Sequence, residues 1–272
     1  MTLLGSLLQF RLVFIIKTKD NLRKYAAYHL LAHAAFMQGV NCLSQLAMIC
    51  ITFFRSDANY TLNKFFGAVF HGSWTGEYPT ILMLSINRLI AINWPYYLHF
   101  MFDGRPFQIF LQFCIVYALT NFVVCLTPAI SSLWDPQLAT FYFEGDTVIS
   151  SIIVFIDSKI VVWIVLLSSL LYIITFIGLV YKIQSSGLSS VRAELPLLLN
   201  FFGLFLATGI TLYLWHHPPS DSLLYFNFFN IFVIFRFAFV NIILLMYNRT
   251  IRRHFFFASS KRIHDSTAIS KF

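Results

Sequence analysis

Six long apolar runs and a shorter one at the amino terminus, separated by brief polar loops, constrain this chain more than any motif does. Each long run reaches about 20 residues, enough to cross the roughly 30 Å of bilayer hydrocarbon as a helix. A backbone in hydrocarbon must satisfy its own N–H and C=O groups, so spanning runs fold as helices. Hydrophobic residues make up 58% of the sequence and charged ones 11%, against about 25% charged in soluble domains. The expected fold is all-α, a seven-transmembrane helix bundle. At 272 residues there is room for one bundle over 1–257, ending in a short amphipathic helix, and a disordered cytoplasmic tail over 258–272.

The first run, Leu3 to Ile16, carries Arg11 in its middle and lacks the basic start and cleavage site of a signal peptide. It predicts a first helix that is short or missing its outer half. The second run is Tyr25 to Phe54, the third Phe65 to Ile92 and the fourth Phe107 to Ile130, with Pro128 near its end. Ser131 to Asp146 reads as the longest loop. The fifth run, Val148 to Tyr181, is interrupted at Asp157-Ser158-Lys159, and the sixth and seventh are Leu195 to Trp215 and Leu223 to Tyr247. In the second run Gln38, Asn41 and Gln45 fall on one helical face, a stripe that should turn inward, because polar side chains avoid lipid.

Of the 19 lysines and arginines, about 14 lie in the loops and tail on one side of the seven spans and three on the other. Positive residues collect in the cytoplasm, so the amino terminus is expected outside and the carboxyl terminus inside. Asn59-Tyr60-Thr61 is a glycosylation sequon in an expected outer loop, which makes Asn59 the candidate acceptor. The net charge of +8 is then a topology and anionic-lipid signal, and no nucleic-acid partner is implied. Cys42, Cys50, Cys114 and Cys125 lie within apolar runs, so neither a metal site nor a loop disulfide is expected. His216-His217 lacks a third ligand. No cofactor is implied, and no nucleophile–base pair or phosphate loop points to an enzyme.

Two charges sit deep in apolar runs. Glu77 lies eleven residues before Arg88, about 16 Å along the helix and on nearly the same face. Arg236 falls at a similar depth in the seventh run. A buried carboxylate is expensive unless paired, so an intramembrane ion pair between Glu77 and Arg236 is expected. Arg88, where the third run meets the interface, either acts as a switch or snorkels to lipid phosphates.

Ser85-Ile86-Asn87-Arg88 followed by Trp94-Pro95-Tyr96, together with the stretch from Asn241 to Arg249, resembles nematode serpentine chemoreceptors. These are seven-transmembrane G-protein-coupled receptors of the class G, U, V, X and T group, and the nearest likeness is to class V or X. The resemblance departs at several points: Pro and Tyr are missing after Asn241, no cysteine opens the third helix, and the sixth lacks Cys-Trp-x-Pro. It implies that Asn87, Arg88 and Asn241 serve in G-protein coupling and switching. It also implies a pocket for a small-molecule chemical ligand among His71, Trp74, Glu77, Trp163, Asn227 and Asn230. The implied partners are a heterotrimeric G protein and membrane lipids, and the implied location is the plasma membrane of chemosensory neuron cilia. The alternative is a polytopic transporter or channel subunit using Glu77, Arg236 and the second-run stripe. No internal repeat of the kind transporters show is visible. A decayed receptor gene with a defective first helix is a third reading.

Overall fold

Every long apolar run folds as a helix. The computed structural model describes residues 2–54, 59–186, 195–217, 222–247 and 249–256. In chain order come α1 (Thr2–Thr18), α2 (Asp20–Arg23), α3 (Ala26–Phe54), α4 (Tyr60–Asn93), α5 (Leu98–Phe102) and α6 (Arg105–Leu126). After a hairpin of β1 (Ser131–Asp135) and β2 (Thr140–Glu144) follow α7 (Val148–Phe155), α8 (Val161–Ser186), α9 (Leu195–His216), α10 (Leu223–Tyr247) and α11 (Arg249–Phe256). The seven spans are α1, α3, α4, α6, α7 joined to α8, α9 and α10. The protein is an integral membrane protein, an all-α bundle of helices.

The bundle is built around α4, which packs against α3, α6, α8 and the hairpin. Its 34 residues include His71, Ser73, Thr75, Glu77, Thr80, Ser85, Asn87 and Arg88, all buried. Lipid-facing surfaces show the inverse pattern. Ile109, Phe113, Val116, Leu119 and Val123 line the outside of α6, and Leu166, Leu170, Ile173 and Ile177 line that of α8. Close crossings come from small residues, as expected where lipid tails compete equally for apolar side chains. A Cβ on Gly76 would stand 2.6 Å from the Ala118 Cβ of α6.

Several boundaries differ from the sequence reading. The third span starts at Tyr60 rather than Phe65, because the Asn59 side chain accepts from the Thr61 N–H at 3.0 Å and caps the first turn. The fourth ends at Leu126 rather than Ile130. There the Lys64 ammonium takes the Thr127 carbonyl at 2.6 Å, and Pro128 brings no N–H with which to continue. The interruption at Asp157 is one π-helical turn, Ile156–Ile160, within a continuous span. α1 has 17 residues, fewer than the usual 20 or so. Its Arg11 reaches the His254 carbonyl of α11 at 3.2 Å, so the mid-run arginine holds the terminal helix against the bundle. The expected tail beyond Phe256 lies outside the described residues.

The expected loop from Ser131 to Asp146 is mostly an antiparallel hairpin, with Ser131 opposite Glu144 and Asp135 opposite Thr140. Asp135 Oδ1 accepts from the Gln137 and Leu138 N–H groups at 2.7 and 3.2 Å, closing the turn, which ends with Ala139 at φ 51°.

Candidate functional site

The hairpin lies across one end of the bundle, fixed by side-chain amides. Asn63 of α4 grips the Trp134 backbone twice: its Oδ1 accepts from the Trp134 N–H at 2.6 Å and its Nδ2 donates to the Trp134 carbonyl at 3.2 Å. Tyr60 pairs with Ser131 at 3.0 Å, and Asn230 of α10 donates to the Ala139 carbonyl at 2.7 Å. The seat is shaped by Gly67, where a Cβ would collide with the Ser132 carbonyl. All four cysteines are free. The amide clamp therefore performs the tethering that a disulfide would otherwise supply.

Below the hairpin is a narrow, partly open cavity of about 30 Å³, lined by Gln45, His71, Trp74, Phe141, Asp157 and Asn230 among others. That is room for about two waters. Aromatic rings form its walls: Phe70 and Phe141 stack at 4.4 Å, Trp134 meets Phe141 at 5.1 Å, and Phe143 stands edge-on to His71 at 4.8 Å. On the hairpin's outer face, partial burial and then the carboxylates of Glu144 and Asp135 hold the Tyr142 phenol above its ordinary pKa, so it is neutral.

Beneath the cavity a buried polar network joins five helices. Arg236, 0% exposed, places Nη2 3.2 Å from Glu77 Oε2 and donates from Nη1 to the Thr208 hydroxyl at 2.9 Å. Glu77 Oε1 accepts from Gln38 at 2.7 Å. Gln9 in turn donates to Gln38 Oε1 at 2.8 Å and to the Phe237 carbonyl at 2.9 Å. The guanidinium also lies 5.2 Å from the Trp74 ring and 4.5 Å from that of Phe237. Trp74 is thus shared: one surface faces the cavity, and the other touches the ion pair. The stripe of Gln38, Asn41 and Gln45 is buried throughout.

At the opposite end Arg88 is only 6% exposed, and its Nη2 donates to Asn87 Oδ1 at 2.8 Å. Such burial is not that of a side chain snorkelling to lipid phosphates. Asn241 is buried on α10 and donates to the Phe237 carbonyl at 3.1 Å.

Among the expected pocket residues, His71, Trp74 and Asn230 line the cavity, and Glu77 lies one layer deeper. Trp163 does not belong with them. It is 69% exposed in a separate groove between α8 and α9, facing away from the bundle axis. The side chain of Asn227 lies outside the described residues. Sequence reasoning missed Asp157, treating it as a break in the fifth run, and missed Phe70 and the hairpin aromatics. An aspartate inside an otherwise apolar run was itself a signal, by the argument applied to Glu77. No group of three metal-ligating side chains occurs among the described residues.

The seven spans centre on the polar third one, α4, with the hairpin over one end and a buried arginine towards the other. Residues 1–246 match the family model of the serpentine type 7TM GPCR chemoreceptor Srx, and the chain belongs to that family. It is therefore a chemoreceptor-family protein, a receptor class rather than an enzyme class. No curated protein matches the sequence.

Proposed function

We propose that this chain detects a small extracellular chemical beneath its hairpin and signals to a heterotrimeric G protein at the Arg88 end. The observation that carries the reading is the position of Trp74. A guest in the cavity displaces a ring that rests on Arg236, and Arg236 with Glu77 holds α4, α9 and α10 in one arrangement through a network reaching α1 and α3. A ligand shifts a receptor only by binding two arrangements unequally, and a buried ion pair shared among helices is an element with discrete alternatives. The distribution of basic residues supports an orientation with the hairpin outside and α11 on the cytoplasmic leaflet, where Arg252 and Arg253 meet anionic lipid. In this orientation Asn59, exposed at the start of α4, stands outside as a glycan acceptor. Chemosensory cilia are the location that this role suggests.

The test is surface expression of the tagged full chain with candidate odorants applied, reading cAMP, cGMP and calcium. Ligand-dependent signalling that disappears in Arg88→Ala at unchanged surface level is the expected result. Ligand-independent current or solute uptake, unaffected by Arg88→Ala, would replace the receptor reading with transport.

A further inference from the structure

We propose that the cavity under the hairpin binds a small organic ammonium ion, with Asp157 as its counter-ion. The inference rests on the reading of that cavity as the ligand site and names the chemistry it selects. Asp157 is 5% exposed, lines the cavity, and its Oδ1 accepts no hydrogen bond among the described residues. The π-helical turn Ile156–Ile160 places this side chain inward. Such single-turn bulges recur at functional sites because they re-aim one residue without ending the helix.

Charge balance decides the sign of the guest. Glu77 and Arg236 neutralise one another at 3.2 Å. Asp157 has no ion-pair partner among the described residues. One negative charge is thus left beside the cavity. An anionic guest would be repelled, and a neutral one would leave the carboxylate without a counter-charge, whereas a cation supplies it. The walls agree with this choice. Phe70, Trp74, Phe141 and Trp215 line the same cavity, and aromatic faces attract ammonium groups electrostatically. His71, whose ring Nε2 has no partner among the described residues, and Asn230 add polar atoms at the rim.

At about 30 Å³, room for about two waters, the cavity is too narrow to admit an organic cation as it stands. Binding therefore requires the hairpin to lift, and its tethers are side-chain hydrogen bonds from Asn63, Tyr60 and Asn230. The guest takes the space that opens between the hairpin aromatics and Asp157.

The experiment is thermal unfolding of the purified full chain in detergent at neutral pH with trimethylammonium, compared with tert-butanol, a neutral molecule of similar size and shape. The expected result is a saturable rise in melting temperature with trimethylammonium alone. In Asp157→Asn, apparent affinity should weaken at least about tenfold, the scale of one lost charge contact. Phe141→Leu, which keeps the charge and removes a wall, should weaken the cation to a smaller degree. Equal stabilisation by tert-butanol, an unchanged response in Asp157→Asn, or no saturable rise would each overturn the proposal. If Asp157→Asn does not fold, the cation-over-alcohol preference of the unsubstituted chain and the Phe141→Leu effect still decide. Nucleotide exchange on a co-reconstituted G protein separates this inference from the receptor reading. Trimethylammonium binding without exchange supports the ammonium site and counts against the receptor reading. Exchange triggered only by neutral or anionic chemicals, without cation binding, removes the ammonium site and keeps the receptor.

Discussion

Replacing Glu77 by Gln would leave the Arg236 guanidinium fully buried without its counter-ion. The Thr208 hydroxyl and the faces of Trp74 and Phe237 would remain around it. Breaking a buried pair by removing one partner costs about 3–5 kcal/mol. A chain of this size loses roughly 2–4 °C of melting temperature per kcal/mol, which makes the expected drop about 10 °C. Arg236→Met should cost less, about 2 kcal/mol, since Gln38 still donates to Glu77 and a stranded carboxyl can take up a proton. A guanidinium has no such escape. The double variant Glu77→Gln/Arg236→Met removes both charges and should recover most of the loss, as apolar replacement of a whole buried pair commonly does. Exchanging the two residues should recover only part, because Gln38 and Thr208 would then face the wrong groups. The assay is unfolding of the detergent-purified chain, with surface level in cells as a second readout. Glu77→Gln no worse than Arg236→Met, or a double variant no better than Glu77→Gln, would refute the reasoning.

Asn63→Ala removes both bonds to Trp134 and strands its N–H, a loss of about 1–3 kcal/mol. Faster deuterium exchange should appear at the hairpin amides and not around Arg88. Gly67→Ala drives a Cβ into the Ser132 carbonyl. Its destabilisation should be less than additive with that of Asn63→Ala, since both release the same element. Ala139→Gly relieves a left-handed backbone at φ 51°. It should raise hairpin protection by about 1 kcal/mol, and unchanged exchange rates would argue that the turn carries no strain. Asn59→Asp keeps the cap on α4 while deleting the sequon. With the hairpin outside, it should remove a glycan-sized mass and leave the melting temperature unaltered.

How much of this was legible in the sequence depended on length scale. Spans repeat apolar residues over 20 positions, so their number and approximate limits could be read directly. Glu77 and Arg236 could be matched because isolated charges at equal depth in hydrocarbon have few ways to be satisfied. The hairpin was hidden because each of its strands, Ser131–Asp135 and Thr140–Glu144, is five residues long. The apolar–polar alternation is too brief to stand out, although aromatic residues on both sides of Asp135-Pro136 were a hairpin cue. Trp163 is misplaced although α8 carries a facing cue: Ser168, Tyr172 and Thr175 recur at i, i+4 and i+7 and are buried, and Trp163 lies on the opposite side of the helix. Asp157 was read as a helix break because sequence periodicity has no signature for a π turn.

The polarity of α4 also bears on how the protein is made. Four described helices, α3, α6, the joined α7–α8 and α10, are by length and composition apolar enough to cross a membrane, and α4 is not among them. A segment carrying Glu77, Arg88 and the histidine, serines and threonines around them partitions into lipid only if something already there receives its polar groups. Gln38, Asn41 and His33 of α3 are those receivers, bonded to Glu77, to the Phe70 carbonyl and to Thr80. The two helices should therefore enter the bilayer as a unit, α3 waiting at the insertion channel until α4 emerges from the ribosome. Arg236 is synthesised 159 residues after Glu77. Throughout that interval the carboxyl group has Gln38 of α3 as its partner, and its counter-ion arrives only with the last span.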